Sequence, residues 1–324
     1  MTATTVIIDE GSSQVKLCWQ EDDQLKTYMI KSRGSYTLES TLDGGVSDTV
    51  YNVDGVDINI DDRVSNPIDT NSDHYQTSDI NRALVHHALR EAGFGGKKVD
   101  LMVTLPVDTF YRNSTKRDAK KSHIQKPVTH VNGLPLATIN SVMVAPEAVS
   151  VLDSIRLNDS GELLPEYEDL SKVLIVDIGG TTTDITIVTR RNTTEGHASV
   201  RIGVFDIARN LKQQLFNDPS IEAREPSMDT LDHTLRTGTF RKKDVSRHIA
   251  AACEPVKSRI LSAITPLVPD PEELDFVCYV GGGANLLAEP LSRAYGGNTI
   301  THSDPEFAVA VGLMKNELSY ATTE

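Results

Sequence analysis

The chain has 324 residues, 39 % hydrophobic and 24 % charged, which is enough for two domains with substantial cores. Its formal charge of −14 excludes broad electrostatic contact with nucleic acid, because neutralising a phosphate backbone needs clustered Lys and Arg; any link to DNA would pass through a basic partner. No apolar run reaches the roughly 20 residues of a membrane span, and the opening MTATTVIIDEG lacks the regions of a secretory signal, so no membrane contact and a cytoplasmic location are expected.

The stretch from Thr5 to Trp19 starts with an apolar run, then Asp9, Gly11, Ser12 and Ser13, then Val15 and Leu17 in alternation, which predicts a strand, a turn and a strand. Residues 20–77 are rich in Asp, Asn, Ser and Gly with short alternating pieces, the pattern of a small polar β-rich subdomain. A helix follows from Ser78 to Ala92, capped by Ser78 or Asp79 and closed by Gly93. His86 and His87 project about 100° apart on such a helix and cannot easily share an ion, so a packed or solvated pair is expected. Val99–Pro106 reads as a buried central strand. The basic segment Arg112–Lys126 reads as a solvated helix or loop, or as a contact surface for an acidic neighbour such as another copy of this chain. A strand from Asn140 to Val144 leads to Pro146, which suits a first helical turn, with Glu147 beside it near the strand edge where ligands bind in open sheets. A glutamate in a first turn equally serves to complement the helix dipole.

After an acidic linker, Leu157–Asp169, comes VLIVDIGGTTTDITIV, Val173–Val188. Asp177 ends one strand, Gly179, Gly180, Thr181 and Thr182 form a tight turn, and a second β-branched run follows. Backbone N–H groups, glycines and hydroxyls are what a phosphate and its metal need from a loop, although an ordinary acidic hairpin has the same pattern. The first hairpin strengthens the phosphate reading: Asp9 and Gly11 match Asp177 and Gly179, Lys16 falls where Asp184 does, and the two aspartates lie 168 residues apart, close to half the chain. Beyond a polar turn around Arg191 to Gly196, a short run leads past Gly203 into a helix over Asp206–Phe216. Asn217–Asp244 is charged and irregular. A long helix over Val245–Ala263 carries Ala251, Ala252, Val256, Ile260 and Leu261 on one face and Glu254 and Lys257 on another, and Pro255 predicts a kink or break in it. The strand Phe276–Val280 runs into Gly281, Gly282, Gly283 and Ala284 and a helix, a turn that lets backbone approach a flat ligand or phosphate. Pro305–Leu318 forms a last amphipathic helix. Cys18, Cys253 and Cys278 have no metal spacing and read as buried reduced thiols.

In this order, DEG near the N-terminus, an acid after a proline in mid-chain, DIGGTTTD and VGGGAN resemble the actin, Hsp70 and sugar kinase superfamily. Within it, LVHHAL, VDLMVTLP, the PE of APEAV, LIVDIGGTTTDI and YVGGGANLL resemble the ParM (StbA) plasmid segregation proteins. The resemblance implies an α/β, two-lobed actin-like (ribonuclease H-like) ATPase fold with a nucleotide cleft between the lobes. Lobe I would take 1–166 plus a C-terminal helix, 304–324, with 20–77 as its subdomain; lobe II would take 167–303, with about 217–244 as its outer part. It implies Asp9 and Asp177 facing a hydrated Mg²⁺, and Glu147 orienting the attacking water. Gly11, Ser12, Ser13 and Lys16 would hold phosphates from one side and Gly179, Gly180, Thr181 and Thr182 from the other. Gly203 would approach ribose or phosphates, Glu254 and Lys257 the base and ribose, and Gly281, Gly282, Gly283 and Ala284 would line the nucleoside pocket. The implied cofactors are ATP or GTP with Mg²⁺. The implied function is an ATPase that polymerises with ATP and segregates plasmid DNA, with itself as filament partner and a DNA-binding adaptor at the plasmid. A small-molecule kinase and a chaperone-type ATPase of the same superfamily are the competing readings.

Overall fold

In the computed structural model, which describes residues 3–38, 45–64, 67–72, 74–189, 193–221 and 225–321, the chain divides into two units. Unit 1 comprises Met1–Glu168 with Phe307–Glu324, and unit 2 comprises Asp169–Glu306.

Unit 1 begins with an antiparallel ribbon of β1 (Thr4–Glu10), β2 (Gln14–Glu21) and β3 (Gln24–Lys31). Two short strands, β4 (Val50–Val53) and β5 (Val56–Asn59), follow, then helix α1 (Asp79–Leu89) and strand β6 (Lys98–Leu105). Helices α2 (Val107–Arg112) and α3 (Ser114–Ile124), strands β7 (Thr129–His130) and β8 (Thr138–Pro146) and helix α4 (Val151–Arg156) complete the run. The main sheet has the order β3-β2-β1-β6-β8, with β6 parallel to both β1 and β8. A small sheet, β5-β4-β7, stands apart: the polar stretch makes its own β structure but completes it with a strand from far downstream. Ser78 caps α1, as its sequence position suggests, accepting a hydrogen bond from Asn81 N–H at 3.3 Å.

Unit 2 repeats the plan with β9 (Lys172–Ile178), β10 (Thr183–Thr189) and β11 (Thr194–Val200), then helices α5 (Val204–Asn217) and α6 (Met228–Thr237). The two-residue strands β12 (Thr239–Phe240) and β13 (Lys243–Asp244), helix α7 (Ser246–Ile264), strand β14 (Phe276–Val280), helix α8 (Ala284–Tyr295) and strand β15 (Thr299–Thr301) follow. Its sheet order is β11-β10-β9-β14-β15, with β14 parallel to β9 and β15. The two main sheets therefore share strand count, order and direction. Helix α9 (Ala308–Ala321) returns to unit 1 and packs on α4, β1 and β2. Gly312 makes that packing possible, since a Cβ there would lie 1.9 Å from the carbonyl oxygen of Ser150. Each unit has its own apolar core: Val6, Ile8, Leu17, Leu84 and Leu101 in the first, Leu174, Val176, Leu211, Val256 and Leu287 in the second. No helix among the described residues is long and apolar enough to cross a membrane.

Three expectations are corrected. Pro146 does not open a helix; it is the last residue of β8, paired with Leu105, and α4 starts only at Val151 after a turn in which Ala148 has φ 65°. A proline fits the end of a strand as well as the start of a helix, and the sequence held both signals. Of the kink or break expected at Pro255, the break does not occur: α7 runs on through Ile264. Pro255 and Ala251 are exposed, so the carbonyl that loses its partner can turn to water. Meanwhile Ile249, Ala252, Cys253, Val256, Ile260 and Ile264 bury the opposite stripe, a face that omits the expected Ala251. The basic segment is a helix, α3, but not a wholly solvated one: Lys120 is completely buried.

His86 and His87 are buried, and among the described residues no group of three or more His, Cys, Asp or Glu could hold a metal. All three cysteines are free and buried, and burial pushes the Cys18 and Cys278 thiols up to about 12. Arg191, in the polar turn, lies outside the described residues.

Candidate functional site

In unit 1, three neighbouring parallel strands end together, and each delivers one polar group. Asp9 is the penultimate residue of β1, Thr104 the penultimate residue of β6, and Glu147 follows the last residue of β8, its N–H donating to Leu105 O at 2.9 Å. The Thr104 hydroxyl lies 3.4 Å from Asp9 Oδ1 and 3.3 Å from Glu147 Oε1. Lys16 stands directly opposite Asp9 in the hairpin and donates to its Oδ2 at 2.9 Å. Asp9, Lys16 and Glu147, chosen from the sequence, are thus gathered; Thr104, which joins two of them, was not chosen. Its signal was a lone hydroxyl in the apolar run of VDLMVTLP.

The loop Gly11–Ser13 is held by its carbonyls. Ser32 Oγ and Tyr75 Oη donate to Gly11 O at 2.6 and 3.2 Å, Thr70 Oγ1 to Ser12 O at 2.6 Å, and Ser32 N–H to Ser13 O at 2.9 Å. Because C=O and the following N–H lie on opposite sides of a planar peptide, pinning three carbonyls also fixes where the N–H groups of residues 12 to 14 point. These tethers all come from residues 20–77, whose function the sequence did not disclose. Glu10, next to Asp9 but on the other side of the strand, is fully buried; its Oε2 accepts from Thr104 N–H at 3.0 Å and its Oε1 lies 2.7 Å from Lys120 Nζ. Burial holds the Glu10 carboxyl above its ordinary range against the opposing pull of Lys120, and burial likewise lowers Lys120.

In unit 2, Asp177 occupies the corresponding penultimate position of the corresponding strand, β9. Its cross-strand neighbour is Asp184, an acid where unit 1 has a lysine. Asp184 is buried and accepts a hydrogen bond from the Ser199 hydroxyl. The turn Gly179–Thr182 closes on itself through Gly179 N–H to Thr182 O at 2.9 Å. Gly179 O and Gly180 O accept from the first two N–H groups of α5, Val204 and Phe205, at 3.0 and 2.9 Å. Gly203 is needed for that contact, because a Cβ there would meet Gly179 O at 2.5 Å and Gly180 O at 2.6 Å. Gly281, at φ 80°, presses equally close: a Cβ would lie 2.3 Å from Asp177 Oδ1. Gly283 packs on Ile178, and its N–H donates to Ile178 O at 2.9 Å. Gly281 thus packs directly on Asp177, while Gly203 packs on the Gly179–Gly180 loop that follows it. Glu254 and Lys257 sit on α7 and pair with each other at 2.7 Å.

The donor set at both aspartates is hard oxygen: carboxylates, with the serine and threonine hydroxyls of the loops nearby in sequence. That suits Mg²⁺, which keeps most of its waters and is held by one or two acids plus phosphate oxygens. Asp184 stands directly opposite Asp177 in the hairpin, so the two carboxylates lie on one face of the sheet.

Comparison with known proteins gives two family matches. Residues 4–155 match the family described as plasmid segregation protein ParM, N-terminal, and residues 175–293 match the family described as archaeal actin homologue MreB-like, C-terminal. No curated protein matches the chain significantly. Among solved structures, the archaeal actin homologue Ta0583 superimposes with a TM-score of 0.76 at 22 % identity, covering 98 % of this chain and 99 % of its own. The same homologue in complex with ADP gives 0.74 at 21 % identity, with 97 % and 98 % covered. A subunit of the 15-stranded ParM filament from Clostridium botulinum gives 0.76 at 19 % identity, with 99 % and 100 % covered.

Proposed function

Given that this chain is an actin-like protein of the ParM type, we propose that it binds and hydrolyses ATP with Mg²⁺, polymerises in its ATP form, and moves plasmid DNA through a DNA-binding adaptor. The observation that carries the reading is the repeated placement of an acid: Asp9 and Asp177 stand at the same position of two sheets with the same strand order. Each is followed by a loop of glycine and hydroxyl residues.

In this reading Asp9 and Asp177 hold the hydrated Mg²⁺, which when bound neutralises charge on the phosphate oxygens. Gly11, Ser12, Ser13 and Lys16 bind phosphate oxygens, and so do Gly179, Gly180, Thr181 and Thr182. Lys16, already paired with Asp9, adds one positive charge for the phosphates. Glu147 orients the attacking water, and positioning of this kind supplies most of the catalysis in phosphoryl transfer. Gly281, Gly282, Gly283 and Ala284 face the nucleoside, and Gly203 keeps the Gly179–Gly180 loop against α5. Glu254 and Lys257 contact base and ribose. The net charge of −14 fits a cytoplasmic filament protein that reaches DNA only through a basic adaptor.

Light scattering and sedimentation with Mg-ATP, with ADP and without nucleotide test the filament reading. A rise that depends on ATP and on protein concentration is expected, and no such rise across ordinary salt conditions overturns it. For the hydrolytic reading, Glu147→Ala should slow turnover by at least about a hundredfold while nucleotide affinity changes little. A parent rate in that variant removes Glu147 from its role.

A further inference from the structure

Thr104 is a fully buried hydroxyl in an otherwise apolar strand, between Val103 and Leu105, and a buried hydroxyl needs partners. Both acceptors within its reach are acids: Asp9 Oδ1 at 3.4 Å and Glu147 Oε1 at 3.3 Å. A hydroxyl has one proton, so it serves one of the two at a time, and both distances exceed the 2.7–2.8 Å typical of O–H···O bonds. The backbone beneath it is clamped more tightly. Thr104 N–H donates to Glu10 Oε2 at 3.0 Å, and Glu10 is held in turn by Lys120 Nζ, which also donates to Gln76 Oε1 at 2.8 Å and Asn81 Oδ1 at 2.9 Å. Gln76 closes the circuit by donating to Glu10 O at 3.2 Å. Adjacent residues of a strand address opposite faces, so Asp9 and Glu10 lie on different sides of β1 and Thr104 touches both, by its hydroxyl and by its N–H.

We propose that Thr104 is a positioning residue: its hydroxyl fixes the Glu147 carboxylate relative to Asp9, and the buried Glu10–Lys120 pair fixes Thr104. This rests on the hydrolytic reading given above. The arrangement explains why a lysine is retained at full burial in α3, a position where an ion pair gains little over a well-packed apolar residue. It also accounts for the polar cluster of buried Glu10, Asn81 and Lys120 with half-buried Gln76, which supports the strand ends that carry the two acids.

The test uses the full chain with Thr104→Val, which keeps shape and burial, and Thr104→Ser, which keeps the hydroxyl. ATP turnover should fall roughly tenfold to a hundredfold in T104V, the range for losing a contact that orients a ligating or reacting group, with KM within about twofold of the parent. T104S should recover most of the rate. Equal kcat in T104V and parent, or a loss confined to KM, overturns the proposal. A second readout needs no turnover: in nucleotide-free protein, the Glu147 side-chain carboxyl resonance, followed by carbon NMR at one pH, should move in T104V and return in T104S. An unmoved resonance overturns the proposed contact even if the parent hydrolyses nothing. Absence of turnover in the parent, by itself, counts against the hydrolytic reading instead.

Discussion

The two acidic hairpins look alike in sequence and are held in place by different means. The loop after Asp9 is tied by side chains that arrive from elsewhere: Ser32, Thr70 and Tyr75 grip its carbonyls, and a lysine stands opposite the acid. The loop after Asp177 is tied by backbone: α5 takes its two glycine carbonyls, Gly203 and Gly281 press against it with no room for a Cβ, and a second acid stands opposite the first. One loop can thus be loosened by removing single hydroxyls, the other only by moving whole elements. The charges differ as well. Asp9 has a lysine, Lys16, opposite it, whereas Asp177 has a second acid, Asp184.

Breaking the support under the first hairpin should have the largest effect. Lys120→Met leaves Glu10 buried without its cation and should cost roughly 3–5 kcal/mol, read as a shift in the urea midpoint, whereas Glu10→Gln with Lys120→Met should recover most of it. The second hairpin is best broken through its backbone packing: Gly203→Ala should cost about 1–3 kcal/mol by overpacking against Gly179 O and Gly180 O and should slow hydrolysis with it.

Acid should separate the two units. Burial, the leading cause at each, lowers His86, His87 and His123 to about 4, and all three belong to unit 1. The folded chain then binds fewer protons than the unfolded one between pH 6.5 and 4. The stability these neutral rings contribute is complete above about pH 6.5 and is lost as pH falls toward 4, on the order of a few kcal/mol in sum. Melting temperatures across that range should fall, and His86→Leu should flatten the fall, because neither ring nitrogen of His86 has a hydrogen-bond partner among the described residues. The smallest effect is expected at Asp184. Asp184→Asn removes one carboxylate but keeps an oxygen that can accept from Ser199, so the stability of the nucleotide-free protein should change by less than about 1 kcal/mol.

What could be read from the sequence was local. Asp, glycine and hydroxyl in one short run announce a hairpin wherever they fold, so both loops, their spacing and the resemblance they carry were legible, and with them the α/β fold. Lys120 was not, because KRDAKKSHI is basic throughout. The available clue was that Lys120 lies four residues before Ile124, and so on the face of that residue. Ser32, Thr70 and Tyr75 gave no clue, since their partners lie 21, 58 and 64 residues away and the intervening polar stretch has no strong period. At Pro146 and Pro255 the local rule was sound but tertiary pairing and burial outweighed it. Gly203 and Gly281 were chosen as ligand contacts; what the structure gives them is a packing role, the close approach of unit 2 to its own loop.

The contrast between the hairpins is tested most directly by calorimetric titration of ATP into the parent and Asp177→Asn chains, with and without Mg²⁺. Mg²⁺ should tighten binding to the parent by about tenfold or more, which is about 1.4 kcal/mol or more, and Asp177→Asn should erase most of that gain without unfolding unit 2. A parent affinity indifferent to Mg²⁺, or an Asp177→Asn chain that keeps the full gain, would contradict the assignment of this acid to the metal.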